Sequence, residues 1–228
     1  QGGRVRRGLC VLAGLLAALL SGCGLPPAGS QPVAVPTRDY GFVDSLLAGE
    51  PGRPKSVEGH LLLPAGATAP YPAVVLLHSS NGFGTLERHY AELLAGAGFA
   101  VLAVDSFGWR GVDKTIKDQT LVSEAGMLAD AYGALTLLSA DPRFDADRIA
   151  LIGFSKGGTV ALYAAFERMA AALAPQGPRF AAHAAFYPWC GLALQRPATT
   201  GRPVLVQIGG ADEVTPPAAC QTLAERLA

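Results

Sequence analysis

Charge is scarce in this chain of 228 residues and, where present, it is balanced: 18 basic and 18 acidic side chains make up 16% of it. The body of the sequence has no basic cluster, so the electrostatic footprint of a nucleic-acid-binding protein is missing. The apolar stretch at 9–20 has twelve residues, too few for a bilayer-spanning helix, which takes about 20. Histidines number four, at 60, 78, 89 and 183, and none lies beyond that point. What is abundant is apolar residues, half of the chain, as expected of one globular domain able to bury a large core.

The first residues do not read as part of the fold. Arg4, Arg6 and Arg7 precede the apolar stretch, and Leu20-Ser21-Gly22-Cys23 follows it, the layout of a cleaved export signal. These last four residues resemble the lipobox of bacterial lipoproteins, which implies acylation of Cys23 and anchoring in a membrane, facing the periplasm or the exterior. Losing residues 1–22 removes three arginines and no acid, leaving 15 basic against 18 acidic groups, a charge of about −3. From 26 to 36 the sequence PPAGSQPVAVP reads as a tether. The expected layout is a leader over 1–22, a lipidated cysteine and tether over 23–37, and one folded domain over 38–228. In an exported protein the remaining cysteines, Cys190 and Cys220, are expected to pair.

In the body, strands are expected at 57–63, 73–78, 99–104, 148–154, 180–187 and 203–208. Helices are expected at 85–97, 120–140, 156–174 and 216–227. Continuous apolar strands alternating with helices imply a doubly wound, mostly parallel sheet, with its chemistry at the carboxyl ends of the strands. Ser155 stands there, in IALIGFSKGG. A serine lifted above a strand end needs a strained backbone, and side chains two residues to either side would collide with the neighbouring elements; Gly153 and Gly157 remove those collisions. This is how a nucleophile elbow reads.

A serine hydroxyl needs a base to take its proton and an acid to orient that base. Asp212, just past an apolar strand, stands where the chain order of this architecture puts the acid; Glu213 is the alternative, and capping of the last helix is the competing role for Asp212. The oxyanion donors are expected from the amide of Lys156 and from Ser79 or Ser80 in the loop after His78. Phe107, Trp109 and Trp189 follow strands on the same edge and are candidates for a substrate pocket. Asp105 and Arg110 read as braces of their loop.

These residues resemble the dienelactone hydrolase family of α/β-hydrolases from about Val57 onward. The marks are His78 closing a strand, Asp105-Ser106-Phe107 with Arg110-Gly111, Gly153-Phe154-Ser155-Lys156-Gly157-Gly158, Tyr187-Pro188, and Gly209-x-x-Asp212 with Thr215-Pro216. The resemblance implies an α/β-hydrolase fold and hydrolysis of small-molecule esters or lactones with neither metal nor cofactor. Two departures stand out. Founding members of the family use a cysteine nucleophile where this chain has Ser155. The family's histidine comes a few tens of residues after the acid, and here only 16 residues follow Asp212. None of the four histidines reads as the base, so the domain is expected to lack its last strand and helix. A prolyl oligopeptidase-type peptidase and an inactive, lipid-anchored binding protein are the competing readings.

Overall fold

The computed structural model describes residues 25–191 and 198–227; the expected leader and Cys23 lie outside them. Seven strands form one sheet in the order β1-β2-β4-β3-β5-β6-β7. They are β1 (Gln31–Asp39), β2 (Arg53–Leu62), β3 (Tyr71–Leu77), β4 (Ala100–Asp105), β5 (Phe144–Phe154), β6 (Ala182–Phe186) and β7 (Val204–Gln207). The last five run parallel, while β2 is antiparallel to both β1 and β4. Among the described residues the α-helices are α1 (Val43–Leu47), α2 (Thr85–Gly96), α3 (Glu124–Ala140), α4 (Lys156–Ala164), α5 (Glu167–Leu173) and, after the last strand, α6 (Pro217–Leu227). None of these is long and apolar enough to cross a membrane.

Alternation along the central strands decides what each face packs. Val75 and Leu77 of β3 and Leu102 and Val104 of β4 enter the larger core, with Leu128, Leu135, Val160 and Tyr163 of α3 and α4. Leu76, Val101 and Ala103 point the other way, toward Phe83, Ala91 and Phe154. Both faces are therefore dry, which is why these strands read as unbroken apolar runs.

Three expectations are corrected. Residues 31–37, read as tether, are the greater part of edge strand β1, paired with β2 from Gln31↔Leu61 to Asp39↔Arg53. Pro32 and Pro36 hid it, yet proline is tolerated on an edge strand, where its missing N–H can face outward. Val35 is fully buried there, and α3 approaches so closely that a side chain on Gly133 would strike the Pro36 carbonyl. The helix expected from 120 starts at Glu124, because Ser123 caps it by accepting from the Gly126 amide at 3.0 Å. The helix expected over 156–174 is two, interrupted where Phe166 bridges to Thr199. On the far edge, Val204 and Leu205 of β7 are exposed.

The loop after β4 is pinned by a buried ion pair. Arg110 donates to both oxygens of Asp130 (2.7 and 2.9 Å), to Asp39 (2.8 Å) and to the Ser106 carbonyl (2.6 Å). Burial opposes the cation, but the hydrogen bonds and charge of Asp130 and then Asp39 outweigh it and hold the guanidinium pKa above its ordinary value. Asp105 receives the amides of Phe107 and Gly108, so both residues brace the loop as expected. Removing one partner strands a buried charge, so Asp130→Ala should lower the unfolding free energy by about 3–5 kcal/mol in urea titration.

His183, inside β6, is buried against Phe180, and neither ring nitrogen has a well-formed hydrogen bond. Desolvation, only weakly opposed by the nearby Ala161 backbone, lowers its pKa from 6.5 to about 4. The unfolded chain then binds the extra proton first, so stability present above pH 6.5 falls as pH drops toward 4, by about 3 kcal/mol in all. His183→Leu should flatten that slope in urea titrations across this range.

Candidate active site

Five parallel strands bring their carboxyl ends to one edge, and β3 is flanked there by β4 on one side and β5 on the other. The chain leaves β3 for β4 and later crosses to β5, so a crevice opens at this switch point. Ser155 sits above it at φ 50°, ψ −112°. A left-handed, non-glycine residue is strained, and the neighbours show what holds it. A Cβ on Gly153 would overlap the Gly157 carbonyl, and one on Gly157 would lie 2.5 Å from the His78 carbonyl and 2.8 Å from that of Leu77. One on Gly158 would meet the Phe186 carbonyl at 2.5 Å. The elbow is thus wedged between the ends of β3 and β6. Its own amide donates to Phe186 O at 2.9 Å.

Lys156 opens α4, and amides in a helix's first turn have no acceptor within the helix. Its side chain is only 2% exposed. Nζ donates to the Gln119 carbonyl (2.8 Å), Glu124 Oε1 (3.0 Å) and Gln119 Oε1 (3.3 Å). Across from it lies the loop after β3. His78 is fully buried. Its Nε2 accepts the Ser106 amide at 3.0 Å, so the proton sits on Nδ1, which donates to Ser79 O at 2.7 Å. With both nitrogens engaged, His78 orders the loop and has no free lone pair for a proton.

A cleft of about 350 Å³ is lined by Ser80, Gln119, Glu124, Ser155, Lys156, Thr159, Trp189, Val214 and Thr215. Of the expected oxyanion pair it contains Ser80 and not Ser79. Of the expected pocket aromatics it contains Trp189 alone. Phe107 is 1% exposed and packs edge-on to His78 at 4.3 Å, so the apolar interior claims it. Trp109 lies half-exposed on a 3₁₀ turn away from the cleft. Phe107 is corrected from pocket to core, and Trp109 is not among the residues lining this cleft.

Asp212 reaches the cleft's rim through its neighbours Val214 and Thr215. Its carboxylate accepts the amides of Thr215 (2.8 Å) and Val214 (2.9 Å) and the Thr215 hydroxyl (3.0 Å). Hydrogen bonds from the Thr215 backbone and hydroxyl, with the Val214 amide, hold its pKa below the ordinary carboxylate value. Glu213 is exposed and has no partner among the described residues. None of the four histidines lines the cleft. Cys190 and Cys220 form the expected disulfide, tying the segment beside Trp189 to α6.

Gln119, Glu124, Thr159, Val214 and Thr215 were not identified as site residues from the sequence. Thr159 carried a signal, standing one helical turn after Ser155, and it braces the elbow: its hydroxyl donates to Ser155 O (3.2 Å) and accepts the Trp189 amide (2.8 Å). Gln119 opens a short 3₁₀ turn, Gln119–Leu121, which is too brief for any periodicity to reveal.

A model of the dienelactone hydrolase family matches residues 57–228. The chain belongs to that family. An uncharacterized protein of Mycobacterium tuberculosis is 34% identical to it over 168 residues, 68% of this chain and 56% of that protein. Mouse acyl-coenzyme A thioesterase 6 is 32% identical over 139 residues, 61% of this chain and 31% of the relative. The chain therefore spans about half or less of the length of these curated relatives. Among solved structures, esterase 2 of Thermogutta terrifontis superposes with a TM-score of 0.60 at 18% identity, covering 90% of this chain and 80% of that one. A dienelactone hydrolase-like promiscuous phosphotriesterase from metagenomic libraries gives 0.56 at 23% identity, covering 86% and 76%. Both show the fold.

The close backbone approaches make the elbow glycines testable. Gly157→Ala forces β3 and α4 apart and should cost about 1–3 kcal/mol of stability in urea unfolding. Gly96→Ala, in open space at the end of α2, should instead gain up to about 1 kcal/mol.

Proposed function

We propose that this family member is a serine-dependent hydrolase of carboxylic esters or lactones, with Ser155 as nucleophile. One observation carries the reading. A serine is held at positive φ by backbone packing, at the switch point of a parallel sheet and in a cleft, where strain has a chemical use and no structural one. The relatives named as thioesterases and the neighbour named as an esterase support acyl transfer as the reaction class.

In this mechanism Ser155 Oγ attacks the substrate carbonyl as a base removes its proton. Negative charge gathers on the carbonyl oxygen, where the amides of Lys156 and Ser80 receive it. The alcohol leaves with a proton from the conjugate acid, and water, activated by the same base, releases the acyl group and restores Ser155. Asp212, already ionised and oriented by Thr215 and Val214, holds the base in the correct tautomer. None of the four histidines of this chain lines the cleft, so the base is not assigned to any of them. A membrane address through lipid on Cys23 belongs to the same proposal, resting on the leader sequence alone.

Residues 24–228 alone should hydrolyse p-nitrophenyl acetate little faster than buffer. Added imidazole should stimulate them well beyond a Ser155→Ala control. Stimulation equal in both proteins would remove Ser155 from the mechanism. Strong hydrolysis without imidazole would show that the base is within these residues, and no stimulation at all would favour a binding protein that kept the hydrolase fold.

A further inference from the structure

The polar wall of the cleft is built around one oxygen with more donors than it needs. Gln119 Oε1 is 2.9 Å from Ser80 Oγ, 3.3 Å from Thr115 Oγ1 and 3.3 Å from Lys156 Nζ. A hydroxyl could serve either end of an amide, since it both donates and accepts. An ammonium can only donate. Lys156 is ion-paired with Glu124 and buried, and its three protons are spoken for by the Gln119 carbonyl, Glu124 and this side-chain oxygen. The atom of Gln119 beside Lys156 therefore has to be oxygen, which fixes the amide against a flip.

The consequence lies on the other arm of the same planar group. Nε2 carries two N–H donors and has no partner among the described residues. Gln119 lines the cleft that holds Ser155. It also touches the side chains of both residues whose amides are assigned to the oxyanion, Ser80 and Lys156. An oriented donor pair left open in a cleft is available to a bound molecule.

We propose that Gln119 donates through Nε2 to the carbonyl oxygen of the bound ester, as a side-chain donor beside the two amides, and that Lys156 is the positioning residue that holds the amide oxygen inward. This rests on the hydrolase reading. The hydrogen bond strengthens as charge develops on that oxygen, so it acts on the transition state more than on substrate binding. The same contacts tie the loop after β3, the loop after β4 and the start of α4 into one unit.

The test uses the full-length protein and p-nitrophenyl butyrate. Gln119→Glu has the same shape and keeps an oxygen for Lys156, Ser80 and Thr115, but when ionised it has no proton to give. Its kcat should fall about 10²-fold, with KM within about twofold and Tm unchanged. As pH is lowered, the ratio of variant to wild-type kcat should rise, because a protonated carboxyl regains a donor; a purely structural role would leave that ratio flat. Lys156→Met should lower kcat without the pH-dependent recovery. Independently, titrating butyrate into the Ser155→Ala protein should shift the side-chain NH₂ resonances of Gln119 in ¹⁵N spectra. A Gln119→Glu enzyme with unchanged kcat, a loss confined to KM, or resonances that do not move would each overturn the proposal. If the unmutated protein failed to hydrolyse the ester, the hydrolase reading would fall instead, and the titration, which needs only binding, would still decide Gln119.

Discussion

The rest of the site depends on one close approach of backbone to backbone. Gly157 sits where any side chain would meet the carbonyls of Leu77 and His78, so α4 can begin directly against the end of β3. That contact sets Ser155 at φ 50°, and it brings the first amide of α4 face to face with the loop carrying Ser80. Ser155 and the amides proposed as oxyanion donors are thus positioned by main-chain packing, which is stiff because interiors are close-packed and hardly compressible. Side chains refine the arrangement without creating it.

Two buried cations then fix the loop between β4 and α3, each by a different logic. Arg110 uses its planar fork on Asp130 and reaches Asp39 on β1, joining the loop to the far side of the sheet. Lys156 is a point charge with three rotatable donors, and it gathers Gln119 and Glu124 in the cleft that holds Ser155. Arginine suits the bidentate, static joint and lysine the compact, many-sided one. A loop of irregular backbone is held at both ends by charge that is expensive to bury and more expensive to strand.

Much of this was legible from residue order. The central strands announced themselves because they are dry on both faces, and Ser155 because glycines at two fixed offsets have few other uses. His78 was legible as closing a strand and not as the base, and the structure adds that it orders the loop that follows. What stayed hidden had local signals pointing the wrong way. Pro32 and Pro36 argued against a strand although an edge position tolerates them, and the helix expected over 156–174 is interrupted where Phe166 bridges to distant Thr199. Phe107 looked like a pocket aromatic by its distance from a strand end, but burial beside His78 depends on a rotation that spacing does not encode. Gln119 was invisible for the same reason, since its value comes from three donors that converge on it from separate parts of the chain.

The disulfide between Cys190 and Cys220 spans 30 positions of sequence and closes them into a covalent ring. On that ring lie both β7 and the turn of Asp212, and Trp189 is its immediate neighbour. The covalent path from Trp189 to the turn of Asp212 therefore runs the short way, across the bridge and back along the start of α6, as well as the long way through β7. The aromatic side of the cleft and the carboxylate at its rim are tethered to each other more tightly than their distance in sequence suggests.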